Sequence, residues 1–333
     1  MRFAAVLLMA VASAATFQVQ VGVWDDTALR YGGMAEVVPL VHAQFRALNE
    51  NLTAAGVDAA FIVTRVDRFA GDPKLQAWRE HPGCDLYVCY NEDGPAGGYV
   101  GMSNGEPFYV VAHNFSYNGM GVFSPFGLDF LRHEIGHFRG MQDLYYANVS
   151  ALDNPVLPVG HQSVYTGTMA YPYGDPRWSA YSVRVMNGYG ADPRLPYPDE
   201  PGGHLYGDLP LSTALLLVRP AGVPPLSGTV YAYGMVRGRV EAQSSFTGRI
   251  DASGRVALPA GAFGRPGDGG AAGLFILVKD DAGTFFGWLE LPQVHEAAWE
   301  AGGGAVEIAV ELTRWKGARI PLTTPLPVSI IAM

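Results

Sequence analysis

The sequence predicts an α/β (α+β) domain with a mixed sheet and one histidine-bearing helix, followed by an all-β sandwich domain. Three observations predict this. The first hundred residues alternate strand, helix and strand patterns, the order that builds a sheet with crossover helices. An apolar helical stretch then runs into His133-Glu134-Ile135-Gly136-His137. Beyond a Pro/Gly-rich segment at 192–210 the pattern changes to short alternating strands at sandwich-like intervals. The domain boundaries follow: 1–14 a leader, 15–191 the first domain, 192–210 a linker and 211–333 the second domain.

Phe17 to Trp24 alternates apolar and polar residues and reads as a strand. Pro39 suits a first helical turn, and Val41, Phe45, Leu48 and Leu52 then fall at helical spacing, with Gly56 as the stop. Ala60 to Val66, Leu86 to Tyr90, Tyr99 to Met102 and Pro107 to Asn114 are the next strands. Ser124-Pro125 is an N-cap followed by proline at the first helical position, and Phe126, Phe130 and Leu131 give the helix a buried stripe. Ala180 to Met186 is a closing helix.

The helix carries the pattern HExGHxxGxxD. Residues four apart share a helix face, so His133 and His137 can aim two imidazoles at one metal ion. Glu134 lies one step round, where a general base takes a proton from water at the metal. Gly140 permits the positive φ that ends a helix and turns the chain. That turn can carry Asp143 back as a third ligand, leaving a fourth tetrahedral position open, as a catalytic zinc requires. No Glu stands between Glu134 and Glu200, and Glu200 lies in a Pro/Gly-rich segment, so a glutamate ligand from a later helix is disfavoured. His161 and Asp153 remain alternative third ligands, although His161 also reads as a plain loop histidine, and His113 as a structural one.

With Thr166-Gly167-Thr168-Met169-Ala170-Tyr171 downstream, the motif resembles the metzincin zinc metalloproteases. Asp143 followed by Leu144-Tyr145 is most similar to the snapalysin and immune-inhibitor-A-like groups, whereas most metzincins carry His at that place. The resemblance implies an endopeptidase with one catalytic Zn2+ and a protein or peptide substrate. It implies that Met169 cushions the metal site from below, as Gly140 supports it by turning the chain. It implies that Tyr171 approaches the metal or the reacting oxyanion, and that the closing helix supports the site. It also implies that the strand before the helix, here Phe108, Tyr109, Val110, Val111 and Ala112, is an antiparallel edge that holds extended substrate by strand addition; an ordinary internal strand fits the same residues. Two further readings stay open: a binding or adhesion protein that keeps the zinc fold as a scaffold, against which the intact Glu134 argues, and a zinc hydrolase of a non-peptide amide.

Composition bounds the rest. Apolar residues make up 49% and charged ones 16%, which suits an ordered globular chain. A net charge of −9 argues against nucleic acid or anionic membrane surfaces as partners. Arg2, the apolar run Phe3 to Val11 and the small residues Ala12-Ser13-Ala14 predict a secretory signal, hence an extracellular or periplasmic protein, while a buried N-terminal strand continuing into Thr16 to Val23 fits the same residues; the run is too short to span a membrane. Cys84 and Cys89 stand five residues apart on a strand, about 16 Å, and a disulfide needs Cα atoms within about 7 Å, so they do not pair with each other. Calcium is compatible with the Asp-bearing loops, but no loop motif demands it. No feature indicates an oligomeric state.

In the second half the expected strands are 214–218, 229–233, 239–242, 255–258, 274–278, 285–289 and 306–311. Gly248 to Val256 resembles the Asp-x-x-Gly turn of transthyretin-like and carboxypeptidase-regulatory β-sandwiches. The half shows no metal or nucleophile constellation: His295 stands alone in the sequence and His204 in the linker, so the domain is read as accessory. The apolar stretch from Pro321 to Met333 fits one further strand.

Overall fold

A computed structural model describes residues 15–70, 84–92, 97–103, 106–114, 121–170, 174–191, 203, 207–264 and 270–317, with the backbone alone at 97–114. The expected leader, Tyr171, His204 and the stretch from Pro321 lie outside them, as do most of the expected linker and the side chains of Phe108 to His113. The content is mixed α+β. The chain divides into two compact units, Met1–Arg139 with Val183–Arg194, and Gly140–Ser182 with Leu195–Met333.

In the first unit, β1 (Ala15–Trp24), β2 (Ala59–Phe69), β3 (Leu86–Tyr90), β4 (Gly97–Ser103) and β5 (Glu106–Asn114) form one sheet in the order β2-β1-β3-β5-β4. All neighbours pair in parallel except β4, which runs antiparallel to β5. Phe17, Val19, Val21 and Val23 of β1 are buried, as the period-two pattern requires. The expected edge is corrected here. β5, which carries Phe108 to Ala112, is paired on both sides, and the antiparallel edge strand is β4. A chain returning antiparallel after β4 still has one free side of β3 to fill, and β5 takes it.

A short helix α1 (Asp25–Arg30) precedes α2 (Met34–Ala55), whose buried face is Val37, Val41, Phe45, Leu48 and Leu52. α2 starts five residues before Pro39. Gly33, at φ +102°, breaks the chain, and its carbonyl accepts Glu36 N and Val37 N at 3.1 Å each, so the first turn closes there and Pro39 sits inside the helix. Gly56 ends it in the left-handed region, as expected. Asn49 of α2 clamps β2 by its side chain, donating to Phe61 O and accepting from Phe61 N at 2.9 Å each. Both cysteines are free and buried.

α3 (Pro125–Phe138) follows, with Ser124 as N-cap: its Oγ accepts Gly127 N at 3.2 Å. Buried Gln44 of α2 holds the approach, donating to Val122 O at 2.7 Å while Tyr90 donates to it at 2.6 Å. Glycine is required at 127, because a Cβ there would run into the Val122 carbonyl. The buried stripe is Gly127, Leu131, Ile135 and Phe138; Phe126 and Phe130 are half-buried and pack edge to face with each other instead. Phe138 packs against Phe17 and Phe61, with ring centroids 5.2 and 5.7 Å away.

The second unit contains α4 (Ala180–Gly188) in part, and then β6 (Ser212–Val218), β7 (Thr229–Val236), β8 (Arg239–Arg249), β9 (Arg255–Leu258), β10 (Ala271–Asp280), β11 (Gly283–Glu290), α5 (Leu291–Glu300), β12 (Ala305–Glu311) and β13 (Thr313–Arg314). Every expected strand between 214 and 311 is present. They form a five-stranded sheet, β13-β11-β10-β7-β8, and a three-stranded sheet, β12-β6-β9, in which β12 and β6 run parallel. One core joins the sheets through Leu215, Val256, Ile308, Leu274, Ile276 and Val278 among others.

Alternate residues of β10, Phe275 and Leu277, belong to a second core on the other face, with Ala147, Val149, Leu157 and Val159. The segment after the histidine helix therefore packs on the five-stranded sheet, and β10 is buried on both faces. The Asp-x-x-Gly turn is formed as expected: Asp251 Oδ1 accepts Ser253 N and Arg255 N at 2.8 and 2.9 Å, and Gly254 has φ +82°. α5 falls where no helix was expected. Glu290 caps it in a reciprocal box with Gln293, and Pro292 lies in its first turn.

Candidate metal centre

His133 and His137 stand one turn apart near the C-terminal end of α3, His133 buried and His137 half-buried. Their Nε2 atoms are 3.2 Å apart and the rings are perpendicular, with centroids at 4.8 Å. Gly140, at φ +82°, turns the chain out of the helix, a conformation an L side chain resists. Three residues later one Asp143 carboxylate oxygen joins the two imidazoles, and the three donor atoms lie within 4.8 Å of one another.

This donor set fits a zinc ion. Two nitrogens each about 2.0–2.1 Å from a tetrahedral centre stand about 3.3 Å from each other, close to the separation between His133 and His137. Two neutral imidazoles and one carboxylate also suit a divalent ion of intermediate softness. Glu134 is buried on the same helix, one residue from His133.

Arg139, directly after the helix, is buried. Its Nη2 donates to Met186 O at 3.0 Å and Gly190 O at 2.6 Å, and its guanidinium lies over the Phe17 ring at 4.6 Å. It thereby ties the end of α3 to the end of α4, where a cation also suits the carbonyl-rich helix terminus.

Around Asp143 the grip comes from the second unit. Leu144 N donates to Met169 O at 2.8 Å. Met169 is buried in a turn closed by Ala170 N donating to Gly167 O at 2.9 Å. Thr168 N donates to Arg177 O at 2.8 Å, and a Cβ on Gly167 would strike that same carbonyl. The Arg177 guanidinium pairs with Asp175 at 2.6 Å, which holds the Asp175 carboxyl below its ordinary range. Burial first and the nearby Asp143 carboxylate second push the Tyr146 phenol up to about 12.

The alternative ligands are engaged elsewhere. His161 Nε2 lies 3.0 Å from Glu290 Oε1, and its ring stacks on Trp288. Glu290 also accepts Ser163 Oγ at 2.5 Å and Val164 N at 2.8 Å. Ser150 Oγ donates to Asp153 at 2.7 Å. His295, solitary in the sequence, is buried with its Nδ1 2.9 Å from the Tyr181 hydroxyl. Sequence reasoning missed Arg139, whose only signal was its position two residues after His137.

No protein-family model matches the chain. Over 191 residues it is 28% identical to a peptidyl-Asp metalloendopeptidase of Pseudomonas aeruginosa, a match covering 51% of this chain and 29% of the relative. The chain thus spans less than a third of that relative's length. Among solved structures, metalloproteinase-II from Bacteroides fragilis overlaps at 15% identity and TM-score 0.32, covering 54% of this chain and 55% of the other. A chaperone–substrate complex overlaps at 13% identity and TM-score 0.35, covering 55% and 36%. Overlaps at those scores leave the fold to be read from its own topology.

Proposed function

We propose that this chain is a secreted zinc-dependent endopeptidase of metzincin type, in which a zincin domain is followed by a β-sandwich. The observation that carries the reading is the convergence of His133, His137 and Asp143. The metalloendopeptidase similarity supports it. His133 and His137 offer their Nε2 lone pairs and Asp143 one carboxylate oxygen. When bound, zinc supplies a Lewis acid that polarises the scissile carbonyl and makes water acidic enough to lose a proton near neutral pH.

Glu134 accepts that proton and delivers it to the leaving amine nitrogen. Tyr171 donates a hydrogen bond to the developing oxyanion. The backbone of the edge strand β4 offers an extended substrate a partner for strand addition. The relative's name suggests a first substrate to try, peptides with Asp at the scissile bond.

The test is cleavage of a diverse peptide library by the chain without residues 1–14, beside Glu134→Ala, with zinc measured in both. Cleavage by the first alone, with one zinc in each, is the expected result. Zinc in both with cleavage in neither would move the function to a non-peptide amide or to binding. No zinc in either would overturn the reading.

A further inference from the structure

We infer that Arg139 is a positioning residue for the histidine pair: its buried guanidinium keeps the last turn of α3 wound as an α-helix, so that His137 stays in register with His133. The inference rests on the zinc reading of that pair. His137 is the last residue but one of α3, and Arg139 is its C-cap. Helix ends fray, and their last turn is often 3₁₀. In that winding residues four apart lie about 120° apart around the axis, instead of about 40°. The end of α3 stands between the two windings. Arg139 N donates to Ile135 O, the α-helical bond, and to Gly136 O, the 3₁₀ bond, at 3.0 Å each.

Burying a guanidinium is unfavourable, and an apolar side chain of similar volume often serves stability as well. Arg139 is nevertheless only 1% exposed. What an apolar side chain lacks is direction. The planar guanidinium donates through Nη2 to Met186 O at 3.0 Å and Gly190 O at 2.6 Å, and it lies over the Phe17 ring, 4.6 Å from the centroid. Two carbonyls and a ring face fix its plane, and so pin the turn from which it grows.

The acceptors are themselves held. Met186 O belongs to the last turn of α4, whose carbonyls lack partners inside the helix. The next residue, Asn187, donates Nδ2 to Gly56 O at 2.9 Å and accepts Asp58 N at Oδ1 at 2.7 Å. Gly190 N donates to Asn187 O at 3.4 Å. Phe17 packs against Phe61 and Phe138, with centroids 5.2 Å away in each case. All these residues and both histidines belong to the first unit. The two Nε2 atoms stand 3.2 Å apart only while the turn between them stays wound. Groups that orient a ligand from behind are worth about 10- to 100-fold in metal affinity or activity.

The experiment uses the full chain. Metal-free wild type, Arg139→Lys, Arg139→Met and His137→Ala are titrated with Zn2+ against a chromophoric chelator, then loaded with Co2+ for visible spectra, which report the ligand geometry. Lysine keeps the charge and loses the planar fork; methionine loses both. For Arg139→Lys and Arg139→Met alike, the expected results are zinc affinity weaker by about 10-fold or more and shifted cobalt bands. Affinity and bands equal to wild type in Arg139→Lys would overturn the inference, since a residue that only supplied charge is rescued by lysine; the same result in Arg139→Met would overturn it as well. If wild type binds no zinc, or His137→Ala binds it as wild type does, the zinc reading falls and takes this inference with it. Should neither Arg139 variant fold, Asn187→Ala carries the test, because it frees the segment that bears both acceptors from Gly56 and Asp58; shifted cobalt bands are then expected, and unchanged bands overturn.

Discussion

The two histidines and the aspartate reach the same cluster by different physics. His133 and His137 are placed by local rules: a serine cap, a proline at the first helical position and a four-residue spacing on one helix. Asp143 and Met169 are placed by contacts far apart in sequence, from Leu144 to Met169 and from Ala147 and Val149 to β10. A local arrangement survives as long as its helix does. A long-range arrangement is only as good as the sheet beneath it, so it is where distant substitutions reach the chemistry.

The largest effect should come from the locally placed base. Glu134→Ala should lower turnover by about 10²- to 10⁴-fold while zinc remains bound, as metal analysis and a peptide assay would read; full activity would remove Glu134 from its role. Asp143→Ala tests the other side. It should weaken zinc by more than the roughly 10- to 100-fold typical of an outer partner, measured by chelator competition. Unchanged affinity would separate the aspartate from the histidines altogether.

The next effects are on stability. Glu290→Ala removes a buried carboxylate and leaves the half-buried Ser163 hydroxyl and Val164 N without their acceptor. It should cost about 2–3 kcal/mol in chemical denaturation, and a change within error would mean that water replaces the carboxylate at no cost. Gly140→Ala forces an L side chain to φ +82° and should cost about 1–2 kcal/mol. Ser124→Ala is the smallest, about 1 kcal/mol for a lost cap, and should leave zinc affinity untouched; a lowered affinity would mean that the helix start is coupled to the site.

What was legible in the sequence follows the same division. The helix, its cap, the glycine stop at Gly140 and the strands of both halves were readable because period, capping and turn chemistry act within a few residues. The start of α2 was misplaced because Pro39 looked like a first-turn residue, while Gly33 had already broken the chain. The edge went to β5 in place of β4 because strand order depends on which neighbours pair, which alternation does not encode. The packing of Ala147 to Val159 on β10 was not readable either, since the apolar β10 looks the same whether one face or both are covered. His295 stood alone in the sequence only because its partner, Tyr181, is 114 positions away.

The clamp of Asn49 on β2 bears on how the molecule behaves at high concentration. β2 ends its sheet, and the outward backbone groups of an end strand are a template on which a second chain can crystallise its own strand into a growing aggregate. At Phe61 both of those groups are already satisfied by one side-chain amide. Any chain that tries to extend the sheet there must first displace Asn49, so a single residue of a neighbouring helix acts as a guard against self-association.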